Sequence, residues 1–283
     1  MIAFLLAVAA VLLIANRPLY VDVDAPLPVG FEATGFQHDS FEDLLRQWVS
    51  ADGNIDYAGW HASDSSRTKL DRYLAAVSQF SPTSASERFE TRSDELAYWM
   101  YAYNAYVIKS VLDHWPIASV TDVKAPIEAI SGLGFFYRQR FKFGGEYMSL
   151  LSVENSIIRK QYQDARIHFV LSCASGSCPI VRPELPTGAA LEQFLATAAT
   201  EFASDPGNIS VDHKTRRVIL SRIFKWYRSD FETAVRLTGQ AGGDSLIAYA
   251  RSIAPEPLAG DLKKAGDYEV VFNDYDWALN ISE

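Results

Sequence analysis

The sequence predicts an α+β fold, a helix-rich single domain packed on a small, largely antiparallel sheet. The first observation is a helical pattern over Asp94–Asp113, whose apolar stripe is formed by Leu96, Met100, Tyr103, Val107 and Val111. The second is a pair of hairpin patterns, one turning at Gly144-Gly145 and the other at His213-Lys214-Thr215. The third is that helical patterns dominate, while strand patterns are grouped mainly in the second half of the chain.

Local signals place the remaining elements. Helices are predicted for Ser40–Trp48, Ser66–Phe80, Asp94–Asp113 with Ser93 as its cap, Leu150–Lys160, Thr187–Ser204, Ile223–Tyr227 with Ser221 as its cap, and Ser245–Ile253. Strands are predicted for Tyr137–Phe143, Glu146–Ser149, Ile167–Leu171, the hairpin Val211–Leu220 and Glu269–Phe272. Trp115-Pro116 ends the longest helix, because a residue before proline disfavours helical geometry.

Composition limits the classes of function. The chain has 283 residues, of which 48% are hydrophobic and 13% aromatic, which supports a substantial core and argues against disorder. The formal net charge of −9 argues against a nucleic-acid partner, since such proteins carry a basic footprint. The sequence has neither a nucleotide-binding glycine loop nor a paired acidic metal motif. We therefore predict no cofactor, and kinase, dehydrogenase and nuclease activities have no support.

The N-terminal segment predicts export. Residues 2–15 form an uninterrupted apolar run, shorter than the roughly 20 residues of a membrane span and closer to the apolar region of a signal peptide. No basic residue precedes the run, and Pro26 follows the small-residue pattern Val23-Asp24-Ala25, so an uncleaved membrane anchor through residues 1–15 is the second interpretation. We expect residues 1–18 to be a signal peptide or anchor, 19–36 a linker, and 37–283 the folded domain. Both interpretations place the domain in the periplasm or on the outer face of the inner membrane; a buried N-terminal helix of a cytosolic protein is the alternative.

The stretch Arg166–Pro179 is the most informative part of the chain. It contains both cysteines, Cys173 and Cys178, and the histidine His168. Its apolar run ends in small polar residues, which predicts a buried strand entering a tight loop. Reactive side chains of proteins with helices packed on sheets often lie at such strand ends, so a thiol with a nearby histidine indicates nucleophilic chemistry.

An enzymatic hypothesis assigns roles to four residues. Cys173 is the nucleophile, His168 the general base, and Glu154 or Asn104 orients the imidazole. Both of the latter lie on predicted apolar helix faces, where an unpaired polar group costs about 1–3 kcal/mol. They therefore need partners, and hydrogen bonds to backbone are the alternative to a catalytic role. Cys178 is a second candidate nucleophile, because Pro179 after it fits the first position of a helix.

A ligand site is predicted beside the cysteines. Backbone N–H groups of the small-residue turn could converge on an anion. The predicted binding residues are Ser175, Ser177, Cys178, Arg182 and Lys225, the last two as a cationic rim for an acidic ligand.

Two other interpretations of the cysteines stay open. Two cysteines in an exported domain usually pair, and four intervening residues that include a glycine can close a disulfide loop. Alternatively, His168, Cys173, Cys178 and Glu154 suit zinc by ligand type, although no paired short-spacing motif is present.

The chain resembles the domain of unknown function 547 family. The resemblance lies in Ala97–Ala105, Ser149–Glu154, Ile167–Ser175, Ser177–Pro179, Leu220–Phe231 and Tyr275–Asn280. It spans roughly Phe41 to Asn280 and is densest from Glu95 to Phe231. Asn155 departs from it, because a histidine commonly follows the glutamate there. The resemblance implies an exported bacterial protein with one α+β domain and no established reaction.

Two functional hypotheses follow. The first is an exported cysteine-dependent hydrolase or acyl-transferase that acts on an amide or thioester in the cell envelope. The second is a non-catalytic envelope module that binds a small molecule or peptide and carries a Cys173–Cys178 disulfide.

Overall fold

A computed structural model describes residues 17–128, 131–239 and 244–282. Residues 1–16, the greater part of the predicted signal peptide or anchor, lie outside the described residues. Within the described ranges, no helix is both long enough and apolar enough to cross a membrane.

Helices make up most of the regular structure. The α-helices are α1 (Asp39–Trp48), α2 (Tyr57–Ala62), α3 (Asp64–Gln79), α4 (Arg92–Asp113), α5 (Leu150–Ser152), α6 (Ala190–Ser204), α7 (Arg222–Trp226), α8 (Arg228–Leu237), α9 (Ser245–Ile253) and α10 (Leu258–Lys264). Short 3₁₀-helices occupy Ser86–Arg88, Val120–Asp122 and Ala165–Phe169. Residues Gly134–Arg138 are π-helical, and α5 continues as a π-helix over Val153–Tyr162.

Within the described residues, six strands form two small sheets. They are β1 (Leu19–Val21), β2 (Gln139–Phe143), β3 (Glu146–Met148), β4 (Ile209–Asp212), β5 (Arg217–Leu220) and β6 (Glu269–Phe272). In both sheets the middle strand has one antiparallel neighbour and one parallel neighbour, in the orders β1-β2-β3 and β4-β5-β6. The helix-rich α+β class and both hairpins are confirmed. The predicted linker is partly ordered, because β1 lies within it and pairs with β2.

Helix α4 is the centre of the core. Thr91 and Asp94 form a reciprocal capping box at its start. Nearly every residue from Leu96 to Leu112 is buried, so the helix is covered on all sides rather than along the single predicted stripe. Three of its four buried tyrosine hydroxyls donate to backbone carbonyls outside the helix: Tyr98 to Val77 at 3.0 Å, Tyr101 to Pro186 at 2.6 Å and Tyr106 to Lys142 at 2.6 Å. These bonds fix α4 in the interior without leaving a buried hydroxyl unpaired.

The prediction of a strand over Ile167–Leu171 is wrong. Residues Ala165–Phe169 form a 3₁₀-helix, and the Asp164 side chain accepts from the Arg166 N–H at its start. The backbone that follows bonds to a side chain instead of a neighbouring strand: Asn104 Nδ2 donates to the Val170 carbonyl at 3.0 Å, and the Ser172 N–H donates to Asn104 Oδ1 at 2.9 Å. A short apolar run fits a buried helical turn as well as a strand.

The expected helix start at Cys178-Pro179 is also absent, since the next helix is α6, which begins at Ala190. The starts of three helices differ from the predictions as well. Helix α4 is capped by Thr91, two residues before the predicted Ser93, and α1 begins at Asp39 after His38. Helix α6 begins three residues after Thr187. The apolar periodicity therefore identifies these helices but not their first residues. The Thr91 side chain caps α4, whereas α1 and α6 begin without a side-chain cap.

The C-terminal segment, residues 275–282, secures the loop that contains the cysteines. The Gly176 N–H donates to the Ala278 carbonyl at 2.7 Å, and the Asn280 N–H donates to the Ala174 carbonyl at 3.3 Å. The other side of the segment bonds to the start of α2: the Ile55 N–H donates to the Asn280 carbonyl at 2.9 Å, and the Tyr57 hydroxyl donates to Asn280 Oδ1 at 3.1 Å. The loop is thus tied to the body of the domain by backbone pairing.

Candidate functional site

A cavity of about 470 Å³ lies beside the cysteines. Its walls come from the π-helix Val153–Tyr162, the irregular stretch after Phe169, helix α7 and the C-terminal segment. The aromatic lining residues are Tyr103, Phe136, Trp226, Tyr227, Tyr275 and Trp277. The cavity has the size and apolar character of small-molecule sites. Four predicted site residues, Glu154, His168, Cys173 and Cys178, line it together.

The two cysteines form a disulfide across the cavity wall. Their Cα atoms are 6.2 Å apart, and neither cysteine of the chain is free. The disulfide is therefore the arrangement that the structure contains. While this bond is intact neither sulfur is a thiolate, so the proposed roles of Cys173 and Cys178 as nucleophiles require prior reduction.

Hydrogen-bond donors surround both sulfur atoms. The Cys173 N–H donates to Cys178 Sγ at 2.8 Å, and the Tyr275 hydroxyl lies 2.9 Å from Cys173 Sγ and 3.3 Å from Cys178 Sγ. The Ser175 hydroxyl donates to Tyr275 at 3.0 Å and lies 3.1 Å from Cys173 Sγ. Burial raises the pKa of Tyr275 to about 12 against an opposing hydrogen bond from Ser175, so the phenol keeps its proton at neutral pH.

His168 pairs with a residue that sequence reasoning missed. It is buried, and its Nε2 lies 2.8 Å from Asp230 Oδ2. Arg159 donates to both oxygens of the same carboxylate, at 2.7 and 3.0 Å. Burial acts to raise the pKa of Asp230, but the hydrogen bonds from His168 and Arg159 hold it well below its usual range. Asp230 follows His168 by 62 residues, within the Leu220–Phe231 stretch of the resemblance.

One face of the His168 imidazole is covered by a tyrosine. The Tyr227 ring is stacked on it at 3.8 Å between centroids, and the Arg159 guanidinium lies 4.9 Å from the centroid of the same ring. His168 is therefore held by Asp230 and Tyr227, both from the α7–α8 region. This packing gives His168 a structural role that needs neither Cys173 nor Glu154.

Glu154 is a buried carboxylate on the cavity wall. Only 7% of the residue is exposed, and the Tyr103 hydroxyl donates to its Oε2 at 3.5 Å. Burial first, and then the Glu154 carboxylate, raise the pKa values of Tyr103 and Tyr227 well above the ordinary value. Among the described residues, no lysine or arginine nitrogen lies within ion-pair distance of Glu154, and none lines the cavity. Of the lining residues that the structure describes, Glu154 is the one with a carboxylate.

Another part of the cavity wall is a cluster of three aromatic rings. The ring centroid of Tyr275 lies 4.6 Å from those of both Trp226 and Trp277, and the two indole centroids are 5.6 Å apart. Trp226 is 44% exposed, which places it where the cavity meets solvent. The cavity thus presents aromatic faces and a single buried carboxylate to an occupant.

The remaining predicted site residues lie elsewhere. Asn104 does not line this cavity, and its amide binds the backbone on both sides of Leu171. Arg182 forms an ion pair with Glu201 beside α6, and the Lys225 ammonium lies 5.8 Å from the Phe272 ring centroid. Ser175 and Ser177 bond within the loop and to the C-terminal segment, where Ser177 Oγ accepts from the Asp276 N–H at 2.9 Å. Among the described residues, therefore, no lysine or arginine forms the predicted cationic rim of the cavity.

Asn155, the departure from the resemblance, lies at the cavity wall. Its amide donates to the Leu151 carbonyl at 3.0 Å and accepts a hydrogen bond from Arg159. Within the described parts of the chain, no group of three or more His, Cys, Asp and Glu residues is placed to hold a metal ion.

One comparison with known proteins finds a match. Residues 87–203 match the model of a family described as "Protein of unknown function, DUF547". This range contains Asn104, Glu154, His168 and both cysteines, while Asp230 and the aromatic residues of α7 and the C-terminal segment lie beyond it. Neither the curated proteins nor the solved structures contain a significant match.

Proposed function

We propose, for a chain that belongs to the DUF547 family over residues 87–203, that the cavity beside the disulfide binds a small organic cation with an apolar body. The observation that carries this proposal is the pairing of one buried carboxylate, Glu154, with a lining of aromatic faces. This is the binding-module hypothesis with the occupant's chemistry specified.

The charges around Glu154 favour a cation. Arg159 is engaged by both oxygens of Asp230, so this carboxylate and guanidinium offset each other. Glu154 helps to raise the pKa of Arg159, after Asp230, but it accepts a hydrogen bond from the Tyr103 phenol and forms no ion pair with a lysine or arginine among the described residues. Burying a carboxylate without a paired cation costs free energy, and a bound ammonium group would supply that cation.

The aromatic wall favours the same occupant. Trp226, Tyr275 and Trp277 are clustered on the cavity wall, and indole and phenol faces attract cations. The aliphatic side chains Leu133, Leu151, Leu171 and Ile223 line the rest and suit an apolar body. An anionic ligand would meet Glu154 with no guanidinium or ammonium in the lining to offset it.

A matched pair of probes tests the proposal. Benzyltrimethylammonium and neopentylbenzene have nearly the same shape, but only the first is charged. Calorimetry or the ligand-induced change in melting temperature should show binding of the cation. Glu154→Gln should weaken that binding about tenfold, equivalent to about 1.4 kcal/mol, and leave any binding of the neutral probe unchanged.

Glu232→Gln is the matched control, because Glu232 pairs with Arg228 on the surface. It should bind the cation as the native chain does. Equal affinity for the two probes, or an unchanged affinity in Glu154→Gln, would contradict the proposal.

The hydrolase hypothesis has weaker geometric support. His168 Nε2 is engaged by Asp230, and both sulfurs are in the disulfide. Acyl transfer from Cys173 would need the reduced protein and a general base other than a His168 held in this way. It is tested by incubating the reduced protein with a chromogenic thioester and searching for an acylated cysteine by mass spectrometry.

We also propose that the domain works outside the cytoplasm. The apolar run of residues 2–15 supports export, and the Cys173–Cys178 disulfide is of a kind that persists in oxidising compartments. Fractionation of a Gram-negative host, with thiol labelling before lysis, should find the oxidised chain in the envelope. A chain without residues 1–18 is the control, and recovery of the full chain as a reduced cytoplasmic protein would contradict this proposal.

A further inference from the structure

We propose that Cys173–Cys178 is a redox-active disulfide that exchanges with an external dithiol through the cavity, with Cys178 as the leaving thiolate. This goes beyond cation binding and does not depend on it. A purely structural disulfide needs no access to a cavity and no donors aimed at its sulfurs, whereas this one has both.

The donors are arranged asymmetrically about the two sulfurs. Cys178 Sγ accepts from the Cys173 N–H at 2.8 Å and from the Tyr275 hydroxyl at 3.3 Å. The first is a backbone donor, which cannot rotate away as a hydroxyl can. Among the described residues, Cys173 Sγ has the hydroxyls of Tyr275 and Ser175 beside it, at 2.9 and 3.1 Å, and the single Ser175 proton is donated to Tyr275. Donors placed on a sulfur stabilise its thiolate and make it the better leaving group.

The loop can open without losing its position. Gly176 and Ala174 are tied to the C-terminal segment by backbone hydrogen bonds that do not involve either sulfur. Ala174 also has a positive φ of 57°, a conformation that L-residues other than Asn and Asp adopt rarely. Such backbone persists where its surroundings fix it, and it is enriched at functional sites.

The exchange proceeds in two balanced steps. A thiolate of the dithiol attacks Cys173 Sγ, the Cys173–Cys178 bond breaks, and Cys178 leaves as a thiolate held by the Cys173 N–H and the Tyr275 hydroxyl. The second thiolate of the reductant then attacks the reductant's own sulfur in the mixed disulfide, and the bond to Cys173 Sγ breaks. This releases Cys173, which takes up a proton, and the reductant leaves as a cyclic disulfide.

Dithiothreitol and iodoacetamide are the probes. The native chain is equilibrated with graded mixtures of reduced and oxidised dithiothreitol, and each cysteine is then quantified by alkylation and mass spectrometry. We expect reduction while near-ultraviolet circular dichroism still reports native packing. In the reduced protein, Cys178 should be alkylated faster than Cys173 at pH 7.

Tyr275→Phe removes one donor with little change in shape. It should slow alkylation of Cys178 at pH 7 about tenfold, the effect of losing one hydrogen bond to a charged group. Tyr268→Phe is the matched control, because its hydroxyl pairs with His213, and it should leave the rate unchanged.

Three results would overturn the proposal. The first is a disulfide that dithiothreitol reduces only when the protein unfolds. The second is a Tyr275→Phe variant whose alkylation rate equals that of the native chain. The third is preferential alkylation of Cys173, which would reverse the assigned roles.

Discussion

The α4 core and the cavity region pair their buried polar groups in different ways. Around α4, buried polar groups such as the Tyr98 and Tyr106 hydroxyls bond to backbone carbonyls, and the helix itself is regular. Around the cavity, side chains bond to side chains, as in His168 with Asp230, and apart from α7 and Tyr103 of α4 the lining comes mainly from π-helical, 3₁₀-helical or irregular backbone. The first region has its buried hydroxyls paired with backbone, whereas the second places Glu154 and both cysteines on the wall of a cavity. The predictions below test this division, from the largest effect to the smallest.

Truncating a core ring should have the largest effect. Phe41 is fully buried and stacked on Tyr73 at 4.9 Å, so Phe41→Ala should lower the free energy of unfolding by about 3–5 kcal/mol. Leu151→Ala, at a cavity-lining residue that is 37% exposed, should cost much less. Urea unfolding measures both, and equal losses would remove the contrast between the regions.

Asn104 joins the two regions, and replacing it should cause the next largest decrease in the free energy of unfolding. Asn104→Ala leaves the Val170 carbonyl and the Ser172 N–H without their partner, at about 1–3 kcal/mol for each buried group. We expect a loss of about 2–4 kcal/mol in urea unfolding. Asn155→Ala, on the cavity wall, is the control. An Asn104→Ala protein with native stability that has lost only a thioester-cleaving activity would instead favour the catalytic role predicted for Asn104.

Removing the disulfide should cost less. The chain-entropy relation gives about 2 kcal/mol for a loop of this length, and the C-terminal segment still secures the loop. The double variant Cys173→Ser, Cys178→Ser should therefore fold, with a lower melting temperature and an unchanged circular dichroism spectrum. An unfolded double variant would show that the disulfide, rather than backbone pairing, holds the cavity wall.

Acid should weaken the core through His38, and the loss of stability per pH unit should be smaller than the effect of any substitution above. Burial lowers the pKa of His38 to about 3, against an opposing effect of Asp94, so the folded chain holds a neutral imidazole. The unfolded chain takes up a proton near pH 6.5, so stability is lost as the pH falls from about 6.5 towards 3, by about 1.4 kcal/mol per pH unit.

The measurement is the free energy of unfolding between pH 7 and 5. His38→Gln should flatten its pH dependence, whereas His213→Gln, at a more exposed histidine, should not. The same slope in His38→Gln and in the native chain would show that His38 does not set the acid sensitivity.

The sequence predicts the parts of the molecule that local patterns determine. Helix α9 begins and ends at the residues that its periodicity predicts. Both hairpins turn at the predicted positions, Gly144-Gly145 and His213-Lys214-Thr215. Residues 167–171 could not be predicted in this way, because Asn104 bonds their backbone from 66 residues earlier. The co-location of Glu154, His168 and the cysteines was expected, but Asp230 and the C-terminal segment enter the site through long-range pairings that no local pattern contains.

The aromatic cluster of the cavity gives the protein an optical signal of its own. Trp226 and Trp277 are packed against Tyr275, whose hydroxyl touches both sulfurs. Disulfides quench nearby indole fluorescence, so the emission of these two tryptophans should brighten when the bond opens. A cation seated on the same rings should shift that emission in wavelength. The two events can then be followed in real time, in one cuvette and without a label.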